Sequence, residues 1–160
     1  GGYVMRAWYD IISLGPHRRR IDEAGIVASC AATRRLIARE NAHGIPVDRI
    51  FLAGFSQGGA VAYTTALTYP EALAGVIALS TYIPSPALLA REASAANRAI
   101  PILAAHGTQD DVVSPALGRA ARDFLTQHGY AVEWHEYPMP HSLCIEEVRL
   151  IGHWLRARLA

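Results

Sequence analysis

The sequence contains no lysine: all fifteen of its basic residues are arginine, against fourteen acidic residues, for a formal net charge of +1. So slight an excess of positive charge argues against nucleic acid as a main partner, because such binding rests on neutralising many phosphates. The arginine bias reads as the coding preference of a GC-rich, bacterial type of genome. Arg18-Arg19-Arg20 is the sole basic run and reads as a solvated loop. Cysteine is equally scarce. Cys30 and Cys144 are the only two, and neither stands in a metal-ligand or C-x-x-C spacing. That argues against a disulfide framework and predicts free thiols in a reducing, cytoplasmic compartment. No run of 18 apolar residues is present, so no integral membrane segment is predicted. The seven histidines are scattered, and no metal site is implied.

What the sequence does have is a core and a motif. At 160 residues and 51% hydrophobic, it suits a single domain. Gly54-Phe55-Ser56-Gln57-Gly58 is a G-x-S-x-G pentapeptide. Composition alone yields such a match in about one chain of this size in twenty, so context must carry the argument. The apolar run Arg49–Ala53 before it reads as a buried strand, and Gln57 to Leu67 after it as a helix ending before Pro70. Ser56 therefore stands on a sharp strand-to-helix turn, where a Cβ on either flanking glycine is expected to clash.

A serine hydroxyl is a poor nucleophile until a histidine takes its proton and an acid orients that histidine. In open α/β sheets the working groups follow the carboxyl ends of strands. Two stretches qualify. The apolar run Pro101–Ala105 leads into His106-Gly107-Thr108-Gln109-Asp110-Asp111, and the alternating run Val132–Tyr137 leads into Pro138-Met139-Pro140-His141. The order Ser56, Asp110, His141 is that of α/β-hydrolases. Asp111 competes with Asp110 as the acid. His106 reads as a brace for its own turn.

At these residues the sequence resembles the phospholipase/carboxylesterase family of α/β-hydrolases. Gly1-Gly2-Tyr3 with Trp8-Tyr9-Asp10, the elbow, Ala78–Pro84, His106–Val113 and Tyr137–His141 look like family blocks in family order. The resemblance implies a carboxylic ester hydrolase acting on short- to medium-chain acyl esters through an acyl-enzyme, without a cofactor. Ser56 would be the nucleophile, His141 the base, Asp110 the orienting acid, and the Gln57 N–H an oxyanion donor. Trp8, Tyr9, Met139 and Leu143 would border the substrate, a small or lipid-like acyl ester. Thioesterase or lysophospholipase action is the alternative. Pro140 departs from the family, which usually has glycine there.

The remaining elements read as a helix over Asp22–Ala42 with apolar stripes at Ile26, Cys30, Ile37 and at Val27, Ala31, Ala38. After the elbow come a strand over 75–79, a short helical segment at Leu88-Leu89, a strand over 101–105, a helix from Ser114-Pro115 to His128, a strand over 131–137 and a final helix capped by Ser142. This alternation predicts an α/β fold with a mainly parallel sheet of about four strands, which the resemblance implies is the C-terminal part of an α/β-hydrolase. By resemblance, further strands and an H-G-x-G oxyanion loop would precede Gly1. The expectation is therefore an N-terminally truncated domain over 1–160, impaired or silent when alone. Its strand 49–54 would be an exposed edge, inviting a homodimer or other association.

Overall fold

In the computed structural model, which describes residues 7–14 and 19–159, two short antiparallel strands come first, β1 (Ile11–Leu14) and β2 (Arg19–Ile21). Helix α1 (Glu23–Ala42) follows, then β3 (Phe51–Phe55), α2 (Gln57–Leu67), β4 (Gly75–Leu79) and α3 (Pro86–Glu92). The chain closes with β5 (Ile102–Gly107), α4 (Pro115–Gln127), β6 (Val132–Tyr137) and α5 (Ile145–Leu159).

Strands β3 to β6 form one parallel sheet in the order β3-β4-β5-β6. The two inner strands are buried at every position, as parallel strands covered on both faces require, and their apolar runs supply that burial. Side chains alternate across the sheet. Val76, Ala78 and Ile102 pack with Tyr63 and Leu67 of α2 and Leu125 of α4, while Ile77, Leu79, Leu103 and Ala105 pack against Trp154 of α5.

Local signals set several boundaries. Ser114 caps α4 through a 3.4 Å bond from the Ala116 N–H, Pro115 opens it, and His128 ends it before Gly129 at φ +83°. Others differ from expectation. The elbow strand begins at Phe51 rather than 49, because Val47–Arg49 form a 3-10 turn with Val47 buried. Of the two α1 stripes, Ile26, Cys30 and Ile37 are buried but Val27, Ala31 and Ala38 are exposed, since only the first faces a neighbour. Ser142 does not cap α5; the helix starts at Ile145, and the Val148 N–H donates to Cys144 O. Arg19 and Arg20 lie in β2 rather than a loop, while Arg18 and the Gly1-Gly2-Tyr3 block lie outside the described residues.

Glu147 is fully buried in the first turn of α5, and neither carboxylate oxygen has a hydrogen-bond partner among the described residues. Burial pushes its pKa from 4.5 up to about 7, offset in part by the Cys144 backbone N–H, which stands near the carboxylate but short of hydrogen-bond geometry. The folded chain thus binds this proton more tightly than the unfolded chain. The stability it contributes is complete below about pH 4.5 and is lost as pH rises through about 7. Glu147→Gln, neutral throughout, should raise the melting temperature at pH 8 by about 2 °C or more and flatten its dependence between pH 5 and 8 in thermal melts. A variant melting lower than wild type at pH 8 would contradict this assignment.

Candidate functional site

The sharp turn after β3 places Ser56 at φ 54°, ψ −122°. Only one other described non-glycine residue, Ser80, has a positive φ. Such a conformation costs on the order of 1–3 kcal/mol and persists only when its surroundings fix it. Here they do. The Ser56 N–H donates to Leu79 O at 2.9 Å, and the Ser56 carbonyl accepts from the Gly59 and Ala60 N–H groups and from the Thr81 hydroxyl at 2.6 Å.

Two glycines make this crossing possible. A Cβ on Gly54 would lie 2.2 Å from the Gly58 carbonyl carbon, and one on Gly59 would lie 2.7 Å from Thr81 Cβ. Gly58 is different, for a Cβ there would meet nothing nearer than Trp8 Nε1 at 3.7 Å. The clash expected on both flanks of Ser56 therefore holds for Gly54 and passes from Gly58 to Gly59. The Gln57 N–H opens α2 with no partner among the described residues, at the positive end of the helix.

The acid and the histidine come from the ends of β5 and β6. Asp110, buried, accepts the His141 Nδ1–H on Oδ2 at 2.7 Å. Its Oδ1 accepts the Val112 and Val113 N–H groups at 3.0 and 2.8 Å. Both carboxylate oxygens are thus held, while Asp111 is exposed; the structure brings Asp110, not Asp111, to the histidine. With Nδ1 donating, His141 Nε2 is the ring atom left to accept a proton. The imidazole packs on the Phe55 ring, centroids 4.6 Å apart, one residue from Ser56. The Ser56 hydroxyl makes no hydrogen bond among the described residues.

The loop carrying His141 is pressed onto the acid turn. A Cβ on Gly107 would lie 2.3 Å from Met139 O and 2.5 Å from Pro140 O. Thr108 and Gln109 N–H groups donate to Tyr137 O and Met139 O. Met139 is accordingly buried, whereas Leu143, beyond the histidine, is half exposed.

Sequence reasoning missed the Gln57 side chain. Its Nε2 donates to Tyr9 O at 3.0 Å and its Oε1 accepts the Trp8 N–H at 3.3 Å, and the Ser29 hydroxyl donates to Trp8 O. These bonds clamp residues 8–9 beside the elbow. Trp8 is 48% exposed and, with Gly58, borders a cleft of about 400 Å³ that runs along Phe51, Leu52 and Ala53 toward Leu36 of α1. Tyr9 instead points into the core, where its hydroxyl bonds that of Tyr82 at 2.7 Å, which favours a structural role. No group of three metal-ligating side chains occurs among the described residues.

The Thr81 hydroxyl is a testable part of this frame. Thr81→Val keeps its volume but strips a donor from the Ser56 carbonyl, and should lower stability in urea titration by about 1 kcal/mol, with Thr81→Ser closer to wild type. Equal stability of the valine variant and wild type would remove Thr81 from the support of the elbow.

Comparison with known proteins gives this geometry its setting. An acyl-protein thioesterase 1 of Neurospora crassa is 43% identical over 173 residues, spanning 99% of this chain and 67% of its own. The carboxylesterase SOBER1 of Arabidopsis thaliana is 34% identical over 161 residues, covering 99% of this chain and 70% of its own. Its crystal structure superposes with a TM-score of 0.92 at 33% identity, over 99% of this chain and 77% of that one. These relatives are fungal and plant proteins and lend no support to a bacterial source. The profile of the phospholipase/carboxylesterase family matches residues 1–159, and the chain belongs to that family of α/β-hydrolases.

Proposed function

We propose that this chain hydrolyses carboxylic esters, of short to medium acyl length, through Ser56, His141 and Asp110. The observation that carries the reading is the 2.7 Å bond between His141 and buried Asp110, beside a serine at positive φ. Asp110 fixes the imidazole with Nδ1–H inward and stabilises its charged form. His141 Nε2 takes the Ser56 proton as Oγ attacks the ester carbonyl, and the Gln57 N–H meets the developing oxyanion at the head of α2. His141 then hands the proton to the leaving alkoxide and activates water to release the acid. Half-exposed Trp8 and Leu143 offer apolar surface to the acyl group. No cofactor takes part in this scheme. A second reading, the same chemistry on a protein-bound thioester, is favoured by the Neurospora relative. Free Cys30 and Cys144 accord with a cytoplasmic setting.

Separate Asp110→Asn and Asp111→Asn variants test the site. With p-nitrophenyl acetate, the first should lose about 10³–10⁴ in kcat and the second less than about tenfold. A larger loss at Asp111 would overturn the assignment. The ratio of acetate to palmitate ester turnover, beside palmitoyl thioester turnover, separates the two substrate readings.

We further propose that the β3 edge is a pairing surface for a second copy of the chain. Among the described residues β3 is hydrogen-bonded to β4 alone, and Phe51 to Ala53 border the open cleft. Light scattering should give twice the chain mass, and a stable monomer would refute the pairing.

A further inference from the structure

His106 lies fully buried at the end of β5, four residues before Asp110, in a space that only a glycine leaves open. A Cβ on Gly118 of α4 would lie 2.3 Å from His106 Nδ1 and 2.8 Å from Cε1. The same Cβ would lie 2.9 Å from the Trp134 ring, on which the imidazole stacks with centroids 6.1 Å apart. The packing fixes which atom points inward. Nε2 lies 2.8 Å from Val113 O, a carbonyl that can only accept, so Nε2 carries the proton. Nδ1 is buried with no partner among the described residues, so a second proton there would be a donor without an acceptor. Burial holds the ring's pKa below its usual value, against the hydrogen bond to the Val113 carbonyl and the pull of Asp110 and Glu136, and with the repulsion of His141. The ring is neutral.

The peptide it grips is the one that matters to the acid. Val113 accepts from His106 through its carbonyl and donates through its N–H to Asp110 Oδ1 at 2.8 Å, the shorter of the two bonds to that oxygen. The same His106 Nε2–H also lies 3.5 Å from Asp110 Oδ2, the oxygen that accepts from His141. His106 Nε2 therefore reaches the carboxylate through the Val113 peptide at Oδ1 and lies near, without hydrogen-bonding, Oδ2.

We infer that His106 is a positioning residue for Asp110: as a neutral donor locked by Gly118, it tethers the Val113 peptide and so sets the Asp110 carboxylate in line with His141 Nδ1. This extends the proposed Ser56, His141, Asp110 reading and rests on it for its effect on turnover. A neutral donor suits the task. A cation in its place would compete with His141 for the carboxylate's charge, while an apolar side chain would free the Val113 carbonyl and let the acid turn drift.

His106→Gln and His106→Met, two unbranched side chains that differ in the donor, test the tether in the full chain. The first readout is the low-field proton NMR signal of the His141 Nδ1–H bonded to Asp110, which needs no turnover and so separates this inference from the choice of Ser56. The methionine variant should lose that signal and about tenfold in kcat on p-nitrophenyl acetate, with KM within about twofold. The glutamine variant should keep the signal and most of the rate. If the methionine variant does not fold, His106→Asn takes its place, since its shorter amide falls short of Val113. The inference is overturned if the donor-free variant keeps both signal and rate, or if glutamine is as impaired as methionine or asparagine.

Discussion

Ser56 keeps a positive φ because four groups from three separate elements hold its peptide, and the remainder of the site is arranged around that strained point. β4 supplies the Leu79 carbonyl, the turn beyond it the Thr81 hydroxyl, and α2 the Gly59 and Ala60 N–H groups. The backbone can cross itself there because Gly54 and Gly59 carry no Cβ. Strain on the order of 1–3 kcal/mol is small beside the burial of α2 and β4. The serine and the free N–H of Gln57 consequently face the same side of the turn as α2's positive end.

A parallel sheet explains how the other groups reach this point. All four strands run the same way, so β3, β4, β5 and β6 deliver Ser56, Thr81, Asp110 and His141 to one edge. Rigid inner strands, buried at every position, fix those deliveries. The last step is loop against loop: Met139 and Pro140 carbonyls sit on Gly107, which packs the loop of His141 directly on the turn of Asp110. Glu147 shows that the helix following this loop tolerates a carboxyl whose pKa is raised chiefly by burial.

Features encoded by neighbours in the chain were legible in the sequence. The G-x-S-x-G spacing gave the elbow and the start of α2 to the residue; apolar runs gave β4 and most of β5; Ser114-Pro115 and His128-Gly129 gave the ends of α4. That Asp110 and His141 come together was legible because each follows a strand of one parallel sheet. Contacts between distant residues were not. Gln57 to Tyr9 spans 48 positions and Thr81 to Ser56 spans 25, and no local pattern marks either. The need for glycine at 59 rather than 58 depends on where Thr81 lies, which only the packed sheet decides. The β1–β2 pair escaped because three- and four-residue strands carry too little periodicity to read.

Covalent chemistry at Ser56 is the step on which the proposed hydrolysis depends. Rapid quench of the chain with p-nitrophenyl acetate at mildly acidic pH, followed by peptide mass spectrometry, measures it most directly. Acetate carried on the peptide containing Ser56, and absent from Ser56→Ala, is the predicted result. Turnover with the acetyl group on another residue, or hydrolysis undiminished in Ser56→Ala, would contradict it.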